Sequence, residues 1–427
     1  MTKAIVIGAG VIGCSIAYEM ASKGYEVIAV DKAQGPGQGS TSASSAVVRF
    51  NYSTFDSVAL AWESFHCWKN WPAHLGEKQE RYSKMIDVGV VMLDAPVISG
   101  EKTSQLFESV GIPYEVWDST DLAKNVTGID AGKYWPPKKL SDDAFWEDAK
   151  ESLGAIFTPN GGYIDDPLLA TENLARAAIN SGVKFRFKSK VTAILQEGNK
   201  VIGVEIDGNE KILADVVINA GGPWSNRINQ LAGVGEDFTI SVKPMRQEVH
   251  QINTPMNLIP GPIIGDLDLG TYMRSSPTGS TLIGGTEPEC DRLDWVDDVE
   301  AVNLNRTKEL FEAQVTRAAR RFPALQIPNS PSGIAGIYDV AADWTPIYDR
   351  TELDGFFVAI GTSGNQFKNA PMVGKLMTAL IDAVRAGQDH DVDPVKVRAE
   401  RTGNEISLGA FSRKRLFNAD NTGTVMG

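Results

Sequence analysis

The sequence predicts an α/β fold combined with an α+β part: a Rossmann-like dinucleotide-binding domain built from separated segments, with a β-rich domain inserted between them. Three glycine-rich turns carry this prediction, and they lie near the start, in the middle and toward the end of the chain, at residues 8–13, 221–222 and 361–364. Each turn follows a short apolar run and precedes a helical pattern. That order is typical of a site where the backbone closely approaches a bound nucleotide.

The first turn has the context of a dinucleotide fingerprint, because the strand before it, the helix after it and the acid ending the next strand are all present. Gly8 permits the tight turn, Gly10 lets a pyrophosphate approach the backbone, and Gly13 lets the helix pack on the strand. The amides and dipole at the helix N-terminus face the phosphates. Asp31 can accept both hydroxyls of an adenosine ribose and repels a 2′-phosphate, which argues against NADP.

Hydrophobic periodicity predicts the elements between the turns. Strands are expected at 89–93, 183–187, 191–196, 201–206, 211–219 and 356–360, a β-rich stretch at 238–285, and helices at 56–71, 166–182, 299–322 and 371–385. The strands from 183 to 206 alternate like an antiparallel set, and acidic residues around 294–300 suit a helix start. The expected domains are a nucleotide-binding domain at 1–85, 150–235 and 330–400, a β-rich substrate domain at 86–149 and 236–329, and a tail at 401–427.

The composition of the chain excludes several classes of binding partner and site. A net charge of −13 without a basic cluster makes nucleic acid and anionic membranes poor partners. No apolar run approaches the roughly 18 residues that a transmembrane helix needs. Three scattered cysteines and four histidines without metal-ligand spacing predict a cytoplasmic protein with no disulfide and no metal site. Lys3 and the apolar run to Cys14 resemble a lipoprotein signal, but that interpretation leaves the strand ending at Asp31 unexplained.

On five stretches the chain resembles the D-amino-acid oxidase-like (DAO) family of FAD-dependent amine oxidoreductases. Its sarcosine oxidase and dimethylglycine dehydrogenase branch is the nearest. The stretches lie at 8–31, 39–49, 214–225, 335–347 and 361–371. The resemblance implies a glutathione-reductase-like FAD fold, with the cofactor extended across the three turns. The helix behind the last turn faces the pyrimidine edge of the flavin, where its dipole stabilises the reduced ring.

The same resemblance assigns residues to FAD. Ser40 and Thr41 correspond to phosphate and ribityl contacts, and the backbone of Val191 to an adenine contact. The full set of expected cofactor-binding residues is Gly8, Gly10, Val11, Ile12, Gly13, Asp31, Lys32, Gly39, Ser40, Thr41, Ser45, Val191, Gly221, Trp224, Gly336, Gly364, Asn365, Gln366, Phe367 and Lys368. Members with covalent FAD carry a histidine or a cysteine where this chain has 42–44 and Gly336, so the FAD is expected to be noncovalent.

Two cations correspond to residues that hold the substrate carboxylate over the flavin in sarcosine oxidases: Arg49 and Lys368. Tyr338 matches an active-site tyrosine of those enzymes, and Tyr272 lies on the strand expected to roof the pocket. Charge-assisted bonds from an arginine fork and a lysine suit a carboxylate, since they are short and orienting. The predicted substrate is therefore a small carboxylated amine.

The implied activity is FAD-dependent oxidation of the C–N bond of a small amino acid or N-alkyl amino acid, such as sarcosine, glycine or a proline-like compound. Hydride passes to flavin N5 and the imine hydrolyses; the nitrogen lone pair drives the step, so no protein base is demanded. Leu282 and Ile283 stand where sarcosine oxidases carry a lysine, and Asn365 and Gln366 replace a His-Gly pair. The electron acceptor is thus open between O2 and a protein or quinone.

Two alternatives remain: a 2-hydroxy-acid dehydrogenase on the same fold, and a flavoprotein subunit of an electron-transfer complex. Alcohol oxidation needs a proton acceptor, and no histidine is well placed to be one. The chain is expected to be a monomer or a small homo-oligomer.

Overall fold

A computed structural model of the chain describes residues 1–254 and 261–426. Its strands are β1 (Lys3–Ile7), β2 (Glu26–Val30), β3 (Val47–Val48), β4 (Met85–Asp87), β5 (Val90–Leu93), β6 (Glu115–Trp117), β7 (Ala155–Thr158), β8 (Gly162–Ile164), β9 (Lys184–Arg186), β10 (Val191–Glu197), β11 (Lys200–Ile206), β12 (Glu210–Leu213), β13 (Val216–Asn219), β14 (Val242–Asn253), β15 (Ile263–Asp266), β16 (Thr271–Ser275), β17 (Ser280–Gly285), β18 (Asp294–Trp295), β19 (Gly333–Ala341), β20 (Ile347–Arg350), β21 (Phe356–Ile360), β22 (Lys396–Arg398) and β23 (Glu405–Ser407).

The helices are α1 (Val11–Ser22), α2 (Phe55–Lys69), α3 (Trp71–Leu75), α4 (Gly100–Val110), α5 (Ser119–Asn125), α6 (Pro167–Asn180), α7 (Ser225–Ala232), α8 (Lys308–Arg321) and α9 (Ala370–Arg385). Within the described ranges, none of them is long and apolar enough to cross a membrane.

A six-stranded sheet joins three distant parts of the chain, in the order β20-β21-β13-β1-β2-β9. All its pairings are parallel except that of β20 with β21. The central strands β1, β13 and β21 are apolar and almost fully buried, as expected for a parallel sheet covered on both faces. This arrangement confirms the prediction of a discontinuous Rossmann-like domain.

A nine-stranded mixed sheet forms the second layer. Its order is β18-β14-β17-β16-β15-β5-β7-β6, and β19 pairs with β14. By pairing, β7 and β19 belong to this sheet, although both lie in segments predicted for the nucleotide-binding domain. The division into domains at the predicted boundaries stays a proposal. Of the β-rich stretch predicted at 238–285, residues 255–260 lie outside the described residues.

Three predicted elements were wrong in extent or pairing. The strand expected at 211–219 is broken, because Asp215 leaves the β10-β11-β12 sheet and bonds to Lys3 in the parallel sheet. The strand expected at 183–187 pairs parallel with β2 rather than with β10. The helix expected from 299 begins at Lys308, because Thr307 caps it while the N–H of Thr307 is held by Glu248.

Helices α1 and α9 pack directly on each other and so fix the third part of the chain against the first. The hydroxyl of Ser15 donates to the carbonyl of Ala370 over 2.6 Å. Opposite Ser15, Gly374 has no room for a side chain: a Cβ there would lie 2.5 Å from the Ser15 carbonyl oxygen. Gly374 therefore sets the distance between α9 and α1, the helix that begins at the first glycine turn.

We expect Gly374→Ala to destabilise the protein by roughly 1–3 kcal/mol, because the added methyl group overlaps backbone atoms that cannot move aside. Gly100→Ala in α4 is the matched control, since its Cβ would meet only the Ile156 Cδ1 at 3.9 Å. That control should be neutral or slightly stabilising, as alanine favours helices. Urea unfolding measures both; equal midpoints for the two variants would contradict this packing.

Candidate functional site

One cavity of about 450 Å³ runs past all three glycine-rich turns. It is lined by most of the predicted site residues: Gly8, Gly10, Val11, Ile12, Asp31, Lys32, Gly39, Ser40, Thr41, Ser45, Arg49, Val191, Gly221, Trp224, Tyr272, Tyr338, Gly364, Asn365, Gln366, Phe367 and Lys368. Two predicted residues lie behind its wall. A Cβ on Gly13 would meet the Gly8 carbonyl oxygen at 1.9 Å, and one on Gly336 would meet Ala43 at 2.9 Å.

At one end of the cavity, the first two glycine turns touch. Gly8 adopts a φ of +107°, and a Cβ there would lie 2.3 Å from the carbonyl oxygen of Ala220, so only glycine fits. Helix α1 then begins at Val11, and its N-cap residue Gly10 provides no capping side chain. The hydroxyl of Thr41 accepts from the Val11 N–H over 3.2 Å. The N-terminus of α1 therefore offers backbone donors and a positive dipole end to the cavity, the environment that a pyrophosphate needs.

The carboxylate of Asp31 is fixed at the end of β2 by two backbone donors. It accepts from the N–H of Ala9 and from the N–H of Ala33, each over 2.7 Å. A carboxylate has about four acceptor sites, so two are left for ligand hydroxyls. This donor and acceptor set fits the pyrophosphate and ribose of a dinucleotide.

A clasp of three residues closes over the same end. The Lys32 ammonium pairs with Glu300 over 2.6 Å and lies 4.0 Å from the ring centre of Trp224. The Trp224 indole N–H donates to the same Glu300 carboxylate over 3.1 Å. Sequence reasoning missed Glu300 because it stands in the acidic run that was assigned to a helix start.

At the other end, the third turn approaches a tyrosine. Gly364 has a φ of +68°, and a Cβ there would lie 2.3 Å from Cε2 of Tyr338. The turn is tied down by Asp339, whose carboxylate accepts from the N–H and hydroxyl of Thr362. On the neighbouring wall, the Tyr272 hydroxyl lies 2.6 Å from the Ser45 hydroxyl, and the ring covers Gly284 on β17.

Arg49 and Lys368 are brought together here, and both lie near the same aromatic ring. The Arg49 Cζ lies 5.2 Å and the Lys368 Nζ 5.0 Å from the ring centre of Tyr52. Both side chains are at most 5% exposed. Arg49 donates to the carbonyls of Asn51 and Val425, and Lys368 to the carbonyl of Asn365. Within residues 1–254 and 261–426, neither cation forms an ion pair with a carboxylate.

Burial, and then the charge of Arg49, lower the pKa of Lys368 well below its usual range. Burial likewise lowers the pKa of Arg49. The two cations therefore repel each other in a place with little water. An anion between them would relieve both effects.

Sequence reasoning missed four further residues around the cations: Tyr52, Glu287, Val425 and Met426. Tyr52 lies three positions after Arg49 and gave no motif. Glu287 accepts from the N–H of Val425 over 2.8 Å and from the Gln247 amide over 2.9 Å. Val425 and Met426 belong to the tail, where no periodicity marked them, yet both line the cavity.

Comparisons with known proteins agree with this geometry. The chain matches the DAO family, described as FAD dependent oxidoreductase, over residues 3–380. It is 25% identical over 389 residues to glycine oxidase from Geobacillus kaustophilus (strain HTA426), covering 88% of this chain and 92% of that protein. It is 24% identical over 419 residues to FAD-dependent oxidoreductase domain-containing protein 1 from Xenopus laevis, covering 88% and 78%. In fold it is similar to L-proline dehydrogenase from P. horikoshii, with a TM-score of 0.73, 23% identity and coverage of 91% and 94%.

Replacing Glu287 by glutamine should flatten the pH dependence of stability between pH 4.5 and 8. Burial raises the pKa of the Glu287 carboxyl from its ordinary value of 4.5 to about 8. Across that window the folded protein therefore keeps a proton that the unfolded chain has released. Raising the pH thus destabilises the wild type, with a limiting slope of about 1.4 kcal/mol per pH unit.

Urea unfolding of the wild type and Glu287→Gln across this pH range measures the difference. Glu289→Gln, at an exposed neighbouring position, is the matched control and should follow the wild type. The pKa shift is contradicted if Glu287→Gln follows it as well.

Proposed function

The chain belongs to the DAO family of FAD-dependent oxidoreductases, as its resemblance predicted, and we propose that it oxidises the C–N bond of a small amino acid or N-alkyl amino acid. The observation that carries the proposal is the pair of buried cations, Arg49 and Lys368, which line the cavity without a carboxylate partner among the described residues. The carboxylate of a substrate of the sarcosine, glycine or proline type would complete this pair.

Other buried arginines of the structure support this interpretation, because each is neutralised. Arg321 pairs with Asp266 and Asp268, each over 2.7 Å, and the three side chains are fully buried. Arg413 pairs with Asp349, Asp391 and Asp237. Burying a charge without a partner is costly. The unpartnered cations at the cavity are therefore best explained by an anionic ligand.

The residues present fit FAD as the cofactor. The turn at Gly8 and the start of α1 would hold its pyrophosphate, Asp31 its ribose, and the loop at 361–368 would face its ring. When bound, FAD accepts the α-hydrogen and two electrons of the substrate. We include noncovalent attachment of FAD in the proposal. Residues 42–44 and Gly336 stand where family members with covalent FAD carry a histidine or a cysteine.

The chain's own residues then supply binding and orientation. Arg49 and Lys368 hold the carboxylate and so fix the α-carbon, while Tyr272 and Tyr338 wall the space around it; such positioning contributes much of a rate enhancement. The amine nitrogen provides its own lone pair, and water hydrolyses the imine after release of the hydride. No histidine stands among the described residues that line the cavity, and this chemistry requires none.

For the electron acceptor we propose either O2 or a second redox partner, which is a protein or a quinone. Leu282 and Ile283, which replace a lysine of sarcosine oxidases, lie on β17 and do not line the cavity. The relatives include both an oxidase and a dehydrogenase by name, so they support either. A cytoplasmic protein acting as a monomer or small homo-oligomer completes the proposal.

An anaerobic screen that follows the flavin absorbance tests the substrate class. Sarcosine, glycine, proline and D-amino acids are offered separately, with glycolate and lactate as the 2-hydroxy-acid alternative. Bleaching by a carboxylated amine is the expected result, and admission of air then separates an oxidase from a dehydrogenase. Bleaching by the hydroxy acids alone, or by no compound, would overturn the proposal.

Lys368→Met and Arg49→Lys should each lower kcat/KM roughly 10²–10³-fold, because each removes charge-assisted bonds to the carboxylate. The flavin content of Arg49→Lys should stay unchanged, since Arg49 is not among the residues expected to bind FAD. Lys184→Met, at a side chain that is 70% exposed on β9, is the matched control. Variants that keep kcat/KM within about twofold of the wild type would exclude the carboxylate clamp.

A further inference from the structure

The segment from Asn418 to Met426 forms a strap that returns from the surface to the cavity. At its start, the Asn418 amide donates to the Ser53 hydroxyl over 2.9 Å, and Asp420 pairs with Lys102 over 2.6 Å. At its end, Thr424, Val425 and Met426 are at most 8% exposed. A polar segment without helix or strand is thus fixed at both ends.

The backbone of Val425 is held on both sides by site residues. Its carbonyl accepts from Arg49 Nη2 over 2.6 Å, and its N–H donates to Glu287 over 2.8 Å. These bonds connect the strap to the cation that is assigned to the substrate carboxylate. The strap therefore helps to fix the direction of the Arg49 guanidinium.

The Met426 side chain packs against the nine-stranded sheet at Gly265. It packs with Met92 and Val425 in one apolar cluster, and Met426 and Met92 both line the cavity. The strands make room for it, because a Cβ on Gly265 would lie 3.1 Å from the Met426 Cε. Met426 thereby lines the cavity directly after Val425, whose carbonyl is bonded to Arg49.

We propose that the strap is a wall of the substrate pocket, and that Met426 limits the length of the carboxylate ligand that Arg49 can hold. This inference rests on the proposed function, because it takes Arg49 as the carboxylate site. The ligand class is a short-chain aliphatic carboxylate, including the amino acids, and longer chains are excluded by the Met426 thioether.

Strap and ligand bind to Arg49 at the same time. A guanidinium has five N–H donors, and the bonds to Asn51 and Val425 use two of them. The remaining donors are available to a carboxylate. The substrate can accordingly bind to Arg49 without displacing the strap.

The test compares the affinities of acetate and hexanoate for the flavin-loaded protein, measured from the perturbation of the flavin absorbance. Wild type should bind acetate more tightly than hexanoate. Met426→Ala should raise the affinity of hexanoate relative to acetate roughly tenfold or more, the effect of room for a methylene group in an apolar pocket. Met426→Phe should shift the ratio the opposite way. Leu416→Ala is the control: it lies in the tail just before the strap, is 91% exposed and should not change the ratio.

Each other outcome overturns the inference. An unchanged ratio in both Met426 variants means that Met426 does not limit ligand length, and an equal loss of both affinities means that the strap is only structural. Failure of the wild type to bind either carboxylate also overturns it. The binding measurement needs no turnover, so it separates this inference from the proposed function. If the Met426 variants change the hexanoate-to-acetate ratio but no amine bleaches the flavin, the role of the strap is upheld and the proposed function is rejected.

Discussion

The structure depends on the contact between Gly8 and the carbonyl of Ala220. Two strands of one parallel sheet end side by side there, and the backbones approach so closely that no Cβ fits between them. Because both turns end at the same edge, the amides of α1 and the second turn face one space. Gly374 performs the same task one layer away, where it lets α9 lie against α1 and brings the third turn to that edge. These two backbone contacts, each too close for a side chain, bring the three turns around the cavity.

The buried cations of this protein are of two kinds. Arg321 and Arg413 each pair with aspartates from other parts of the chain, so their charge is neutralised within the fold. Arg49 and Lys368 donate to backbone carbonyls and lie near the Tyr52 ring, and neither has an ion pair within the part of the chain that the structure describes. A carbonyl dipole fixes a cation and leaves its net charge to act on a ligand. That difference separates these two arginines from the two cations proposed to hold the substrate more clearly than burial does.

Features that depend on residues nearby in the sequence could be predicted, whereas features that depend on distant residues could not. The turn at Gly8, the acid at Asp31 and the helix start at Asp166 depend on neighbours in the chain, so local patterns reveal them. The start of α8 was misplaced, because the acidic residues before it pair elsewhere: Glu300 with Lys32, and Asp294 with Arg246. The strap at Met426 and the clasp at Glu300 had no signal at all. Each is defined by partners more than seventy positions away, which no periodicity encodes.

The order in which the chain is synthesised gives the three-part sheet a further consequence. Arg49 lies near the start of the chain, whereas β21, Lys368 and the strap lie near its end. The first βαβ unit therefore emerges from the ribosome long before the strands that complete its sheet, and long-range pairing of this kind is slow. Until then, the free edge of β13 and the apolar face of α1 are exposed to other chains. The proposed substrate site, which takes Arg49 from the first part of the chain and Lys368 from the last, is consequently among the last regions to form.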